Sequence, residues 1–210
     1  MPKHSQPNSP SIWPDSDRTQ ELLAAARDGD REAVEGLMDR HRGALRKLVE
    51  NRMDRAIGRR VDASDVVQDV LLEASNRLTR YLEQPTLPFH LWLRQLARDR
   101  LIDMHRRHRQ AQKRSVDRER PLRSRAHSDQ SSLDLAARLA DAELTPAAAS
   151  IRQELQLRFR EAIERLGEDD REIVLMRHFE QLTNSEAAQA LGLTPAAAGM
   201  RHLRALRRLK

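Results

Sequence analysis

The closing stretch 182–210, LTNSEAAQALGLTPAAAGMRHLRALRRLK, decides how this chain folds. Thr183 and Glu186 stand three residues apart ahead of an apolar run, the spacing of a capping box in which each side chain satisfies the other's backbone N–H. Gly192 falls where the run ends, and a residue without Cβ takes the left-handed conformation that closes a helix. Thr194 and Pro195 then restart the pattern, a cap followed by a proline whose missing N–H costs nothing at the first helical position. Two helices joined across Leu191-Gly192-Leu193 make a helix-turn-helix. Helical spacing turns Ala198, His202, Ala205 or Leu206, and Leu209 of the second helix inward, and Ala196, Ala197, Gly199, Met200, Arg201 and Arg204 outward. The last ten residues hold five Lys/Arg and no acid, a surface suited to nucleic-acid phosphates.

Composition carries the all-α reading to the whole chain. Of 210 residues only 3% are aromatic while 33% are charged, and Leu, Ala, Arg and Glu favour helices over sheets. The expected fold is two small helical domains joined by a flexible linker. With no cysteine, disulfides, zinc-thiolate sites and thiol nucleophiles are excluded. No apolar run reaches the ~18 residues of a membrane span, and the first 17 residues lack the apolar core of a signal peptide. A soluble, cytoplasmic protein without membrane contact is expected. The net charge of +6 is unevenly spread, and a second basic run, Arg98–Arg125, carries 11 Lys/Arg against 4 Asp/Glu.

Residues 1–16 hold four prolines and several serines and are expected to be a disordered tail. A first helical block is expected over 17–112. In it Asp30 caps a helix with Val34, Leu37, Met38, His41, Leu45 and Leu48 on one stripe, His41 being a hydrogen-bonded core residue. Asp62 caps the next helix, DASDVVQDVLLEA, whose inner face is Val66, Val67, Val70, Leu71 and Ala74 and whose other face is acidic. Pro85 and Pro88 stiffen the loop that follows. A fourth helix then sets Phe89, Trp92, Leu93 and Leu96 inward. Residues 113–149 read as a linker, and 150–210 as a second block that opens with Ile151, Leu155, Phe159, Ala162, Ile163 and Leu166. No sensing domain is expected beyond it, because the sequence stops soon after Arg204.

Both blocks resemble the bacterial sigma-70 family of transcription initiation factors, in the extracytoplasmic-function (ECF) form that keeps only regions 2 and 4. DASDVVQDVLLEA with FHLWLRQLARDRLIDMHRR is similar to region 2, and LGEDDREIVLMRHFEQLTNSEAAQALGLTPAAAGMRHLRALRRL to region 4. The resemblance implies that Asp62, Asp65, Gln68 and Asp69 dock on the clamp helices of core RNA polymerase. It implies that Arg98, Arg100, His105, Arg106, Arg107 and Arg109 grip promoter DNA at the minus-10 element, and that the loop Leu82–Pro88 traps a flipped base. Thr194, Ala196, Ala197, Gly199, Met200, Arg201 and Arg204 would then meet the minus-35 major groove. The partners implied are core polymerase, promoter DNA and an anti-sigma factor, with no cofactor and no metal.

The sequence departs from the family at three places. Asp99 replaces a common asparagine. Tyr81, Phe89 and Trp92 are the only aromatics near the melting site, with Trp92 at core spacing. PAAAGM leaves base reading to Arg201 and Arg204, with the alanines free to meet thymine methyls. An enzyme is not expected: His105 and His108 with Asp103 lie among arginines that repel a cation, and no third ligand completes a site. The competing readings are a stand-alone helix-turn-helix regulator and a sigma-like interaction protein that does not initiate.

Overall fold

In the computed structural model, residues 11–53, 61–116, 162–163 and 165–209 are described, and among them every regular element is helical. Four helices form the first block: α1 (Ser16–Arg27), α2 (Arg31–Arg52), α3 (Ala63–Glu83) and α4 (Phe89–Val116). The second block has α5 (Glu168–Val174), a π-helical segment Leu175–Phe179, α6 (Asn184–Leu191) and α7 (Pro195–Arg208). Two expected boundaries shift. α3 runs through Leu82 and Glu83, which were expected in the loop, and α4 continues past residue 112 to Val116. Most of the expected linker, and the helix expected at its end except Ala162, Ile163 and Leu166, lie outside the described residues.

Local chemistry sets the helix starts. The carboxylate of Asp15 accepts from the backbone N–H of Arg18, that of Asp30 from Glu32 and Ala33, and that of Asp62 from Ser64. Each satisfies a donor that the helix itself leaves orphaned. The capping box of Thr183 and Glu186 is complete, Gly192 takes φ +64°, and Thr194 caps α7. The π-helical segment has no counterpart in the apolar pattern. It closes with the N–H of Glu180 donating to Leu175 O at 3.0 Å, and Gln181 then turns left-handed at φ 55°.

The first core gathers Leu37, Leu45, Leu48, Val66, Val70, Phe89 and Leu93, all almost without solvent contact. At about 1.5–3 kcal/mol for each large apolar side chain removed from water, such positions dominate the stability of the bundle. His41 lies inside it at 1% exposure, its Nε2 3.3 Å from Thr19 Oγ1. Burial first, then the nearby His90 and Arg40, lower its pKa to about 4. Trp13 contradicts a tail disordered through residue 16: it is buried, its ring 6.2 Å from His41 and 5.7 Å from His90. A large aromatic so near the bundle gains more by burial than the prolines around it gain by disorder.

The second core is small: Ile163, Leu166, Ile173, Val174, Ala188, Ala198 and Ala205. The two cores are not separate, however. Met176, Leu182 and Ala187 of the second block are buried in the first block's cluster.

Candidate nucleic-acid interface

The acidic side of α3 is open. Asp62, Asp65, Gln68 and Asp69 are all exposed while Val66, Val67 and Val70 are buried, the division that helical periodicity requires of a half-buried helix. The hydrogen bond from the Ser64 backbone holds the Asp62 carboxyl below the usual range. Leu72, one turn beyond Gln68 and Asp69, is 61% exposed and adds an apolar contact to this face. Sequence reasoning passed over Leu72 because it adjoins Leu71 in an apolar pair and the period alone does not say which of two neighbours turns out.

The basic residues of α4 do not make one surface. Arg98 and His105 are seven apart and share a face, as do Arg100 and Arg107, and the two faces are about 160° apart at 100° per residue. Arg106 and Arg107 are exposed, while Arg98, Arg100, His105 and His108 are partly covered. Arg100 is ion-paired with Asp69 across the α3–α4 contact, so one expected DNA contact touches one expected polymerase contact. Arg98 faces the second block, 3.7 Å from Glu172 and 3.9 Å from Glu168. The side chain of Arg109 lies outside the described residues.

Between α3 and α4 the loop 84–88 is held by Tyr81, whose hydroxyl donates to Leu87 O at 2.9 Å. Burial raises the pKa of that phenol, which keeps it a donor. Trp92, expected to point inward, packs against the core but is only half-buried, and its ring stacks on Tyr81 at 4.6 Å. The pair forms one wall of an open hollow of about 470 Å³ whose rim carries Arg77, Arg80, Gln84 and Thr86. The half-buried Trp92 ring beside guanidinium and amide groups suits a nucleobase and its phosphate. A second hollow of about 340 Å³ opens on the other side of the loop, against Arg27, Leu82, Pro85, Pro88 and Gln189.

On α7 the outward line is Ala196, Met200, Leu203 and Arg207, flanked by Ala197 and Arg204, all exposed. Leu203 and Arg207 were missed. Leu203 is three residues from Met200 and Arg207 three from Arg204, a signal the sequence did contain. Gly199 corrects the expected outward set: it faces α6, where a Cβ would meet the Asn184 side chain at 3.7 Å, and Asn184 Nδ2 donates to Pro195 O at 2.8 Å. Arg201 is only 24% exposed, its guanidinium 3.3 Å from Asp169. Arg208 pairs with Asp170. Thr194 is exposed, but its hydroxyl is engaged in capping Ala197. Beside α7, His178 and His202 meet at 2.9 Å between their Nε2 atoms, and burial lowers the pKa of both.

Known proteins supply the family. Residues 37–111 match the family model Sigma-70 region 2, and 156–209 match Sigma-70, region 4. The chain is 27% identical to the ECF RNA polymerase sigma factor SigD of Mycobacterium tuberculosis over 202 residues, covering 96% of this chain and 87% of that one. A probable RNA polymerase sigma factor, RfaY of Xanthomonas campestris pv. campestris, is 36% identical over 152 residues, which cover 71% of this chain and 34% of RfaY. Among solved structures, CnrH in complex with the cytosolic domain of CnrY shares the fold, with TM-score 0.56 and 24% identity over 93% of this chain and 95% of that one.

Proposed function

Since the chain belongs to the sigma-70 family of RNA polymerase sigma factors, in its ECF branch, we propose that the exposed acidic face of α3 is its hold on core polymerase and that α4 and α7 are its holds on promoter DNA. It is a transcription initiation factor that directs core polymerase to promoters. On this reading 17–112 is the polymerase and minus-10 unit, 113–149 a tether and 150–210 the minus-35 unit, all working in the cytoplasm beside the polymerase. The chemistry of RNA synthesis stays with the polymerase, so no catalytic group is required of this chain.

One observation carries the assignment of roles. Asp62, Asp65, Gln68 and Asp69 are exposed together with Leu72 on one side of α3, while positive charge is concentrated on the later turns of α4 and at the end of α7. Carboxylates around one exposed leucine suit a basic protein surface: the charges steer the encounter and fix its register, and the leucine supplies burial. The hollow walled by Tyr81 and Trp92 supports base capture, since stacking of one base is worth about 1–3 kcal/mol, against a few kcal/mol to extrude it. Ala196, Ala197 and Met200 are the groups we assign to thymine methyls in the minus-35 groove, with Arg204 reaching a base edge or phosphate. An anti-sigma factor is the protein that would keep these faces from both partners.

The test is run-off transcription with purified core polymerase on a library of promoter fragments. Specific transcripts that depend on the added chain are the expected result. Tight binding of an inverted repeat by the chain alone, with no association with core polymerase, would overturn the assignment.

A further inference from the structure

The two blocks are joined by more than a tether. Arg52 at the end of α2 and Arg94 in α4 come from the first block, and Glu172 of α5 and Glu180 after the π-helical segment come from the second. Arg52 donates to Glu172 at 2.7 and 3.2 Å and to Glu180 at 2.8 Å, and Arg94 donates to both carboxylates. The side chains are 9%, 3%, 11% and 1% exposed in that order, so the quartet is shut off from water. Burial alone would raise the Glu172 pKa, but Arg52 and Arg94 outweigh it and bring the value to about 2. Two positive and two negative charges cancel. Around them Met176, Leu182 and Ala187 enter the first core, and His90 lies 3.1 Å from Glu186.

This closed arrangement conflicts with the role proposed above, on which the inference rests. Minus-10 and minus-35 elements are about 25 base pairs apart, about 85 Å of duplex at 3.4 Å per pair. A compact unit of this length has a radius of gyration of about 17 Å, too small to reach both. Arg98, a proposed minus-10 contact, is also turned onto Glu168 and Glu172. We infer that the Arg52–Arg94–Glu172–Glu180 quartet is an intramolecular latch that holds the free chain closed and lowers its affinity for polymerase and promoter until polymerase binds the open form. A buried ion network suits such a device. Its mutual attraction is nearly offset by the hydration its members regain on separation, so it specifies one docked geometry without making it permanent, whereas neutralising one sign leaves the other buried and unpaired.

The absence of cysteine from the sequence makes the test clean. Ser75→Cys and Ser185→Cys place dyes on exposed positions of α3 and α6, and energy transfer in the free full-length chain reports closure. High transfer is expected with the quartet intact. The double variant Glu172→Gln with Glu180→Gln should lose that transfer while keeping its helical circular dichroism. It should also bind core polymerase more tightly by about tenfold or more, as follows when the competent fraction rises from a tenth or less toward one. Unchanged transfer, or lost transfer with polymerase binding that is measurable but no tighter than the parent's, would overturn the latch. Should the double variant fail to fold, His90→Cys with Glu186→Cys, joined by a short reducible cross-linker, locks the interface instead. The locked chain should be inactive in transcription and recover on reduction, and full activity while locked would refute the inference. A chain that opens and closes as described but never binds polymerase would leave the latch standing and sink the proposed function.

Discussion

Mild acid should weaken the first block, and His41 is the reason. The imidazole is 1% exposed, faces Thr19, and lies among Trp13, Phe89 and His90 with Arg40 close by. Its pKa falls from 6.5 to about 4 in the fold, so the unfolded chain takes up a proton at a pH where the native chain does not. The stability this contributes is whole above pH 6.5 and is lost as pH falls toward 4, below which no more is lost. At 1.36 kcal/mol per unit the loss is about 3 kcal/mol. Urea unfolding at steps between pH 7.5 and 4 measures it directly, with tryptophan fluorescence as a local reporter. His41→Gln, which keeps a hydrogen-bonding group beside Thr19, should be less stable at pH 7.5 yet lose far less between pH 6.5 and 4. Equal pH dependence in the variant and the parent would refute the argument, as would an NMR titration placing His41 near 6.5.

Three further outcomes can be checked. Asp65→Arg with Asp69→Arg should abolish binding to core polymerase in a pull-down while leaving thermal unfolding nearly unchanged, because both side chains are exposed and surface pairs such as Asp69–Arg100 are worth about 0–1 kcal/mol. Arg201→Ala should cost about 1–3 kcal/mol at one promoter position if the side chain leaves Asp169 to reach a base, and Asp169→Ala should then tighten binding to that promoter in a mobility-shift titration. Gly192→Ala, forced to φ +64°, should destabilise the helix-turn-helix by about 1–2 kcal/mol, read as a lowered melting temperature.

What the sequence disclosed follows the range of the forces involved. The caps at Asp30, Asp62, Thr183 and Thr194 and the turn at Gly192 were legible because each depends on atoms within three or four residues. The inner face of α3 was legible because burial imposes a period. The quartet was not, since its bonds join residues 78 to 128 positions apart and no periodicity marks such partners. For the same reason Arg201 read as a free base reader, although Asp169 holds it. The basic run of α4 read as one patch because composition carries no angle, and Trp13 read as tail because the prolines around it are a local signal while its burial is not.

The widened turn at Leu175–Phe179 governs the phase of everything after it. In an unbroken α-helix, residues eight apart point about 80° away from each other. With one i→i+5 turn, which takes up about one extra residue, the eight positions from Glu172 to Glu180 come close to two whole revolutions, and both carboxylates address the same two guanidinium groups. The extra residue thus works as a gear tooth. Winding that turn as regular α-helix, with every residue kept, would turn Glu180 about 100° out of mesh without touching a single charge.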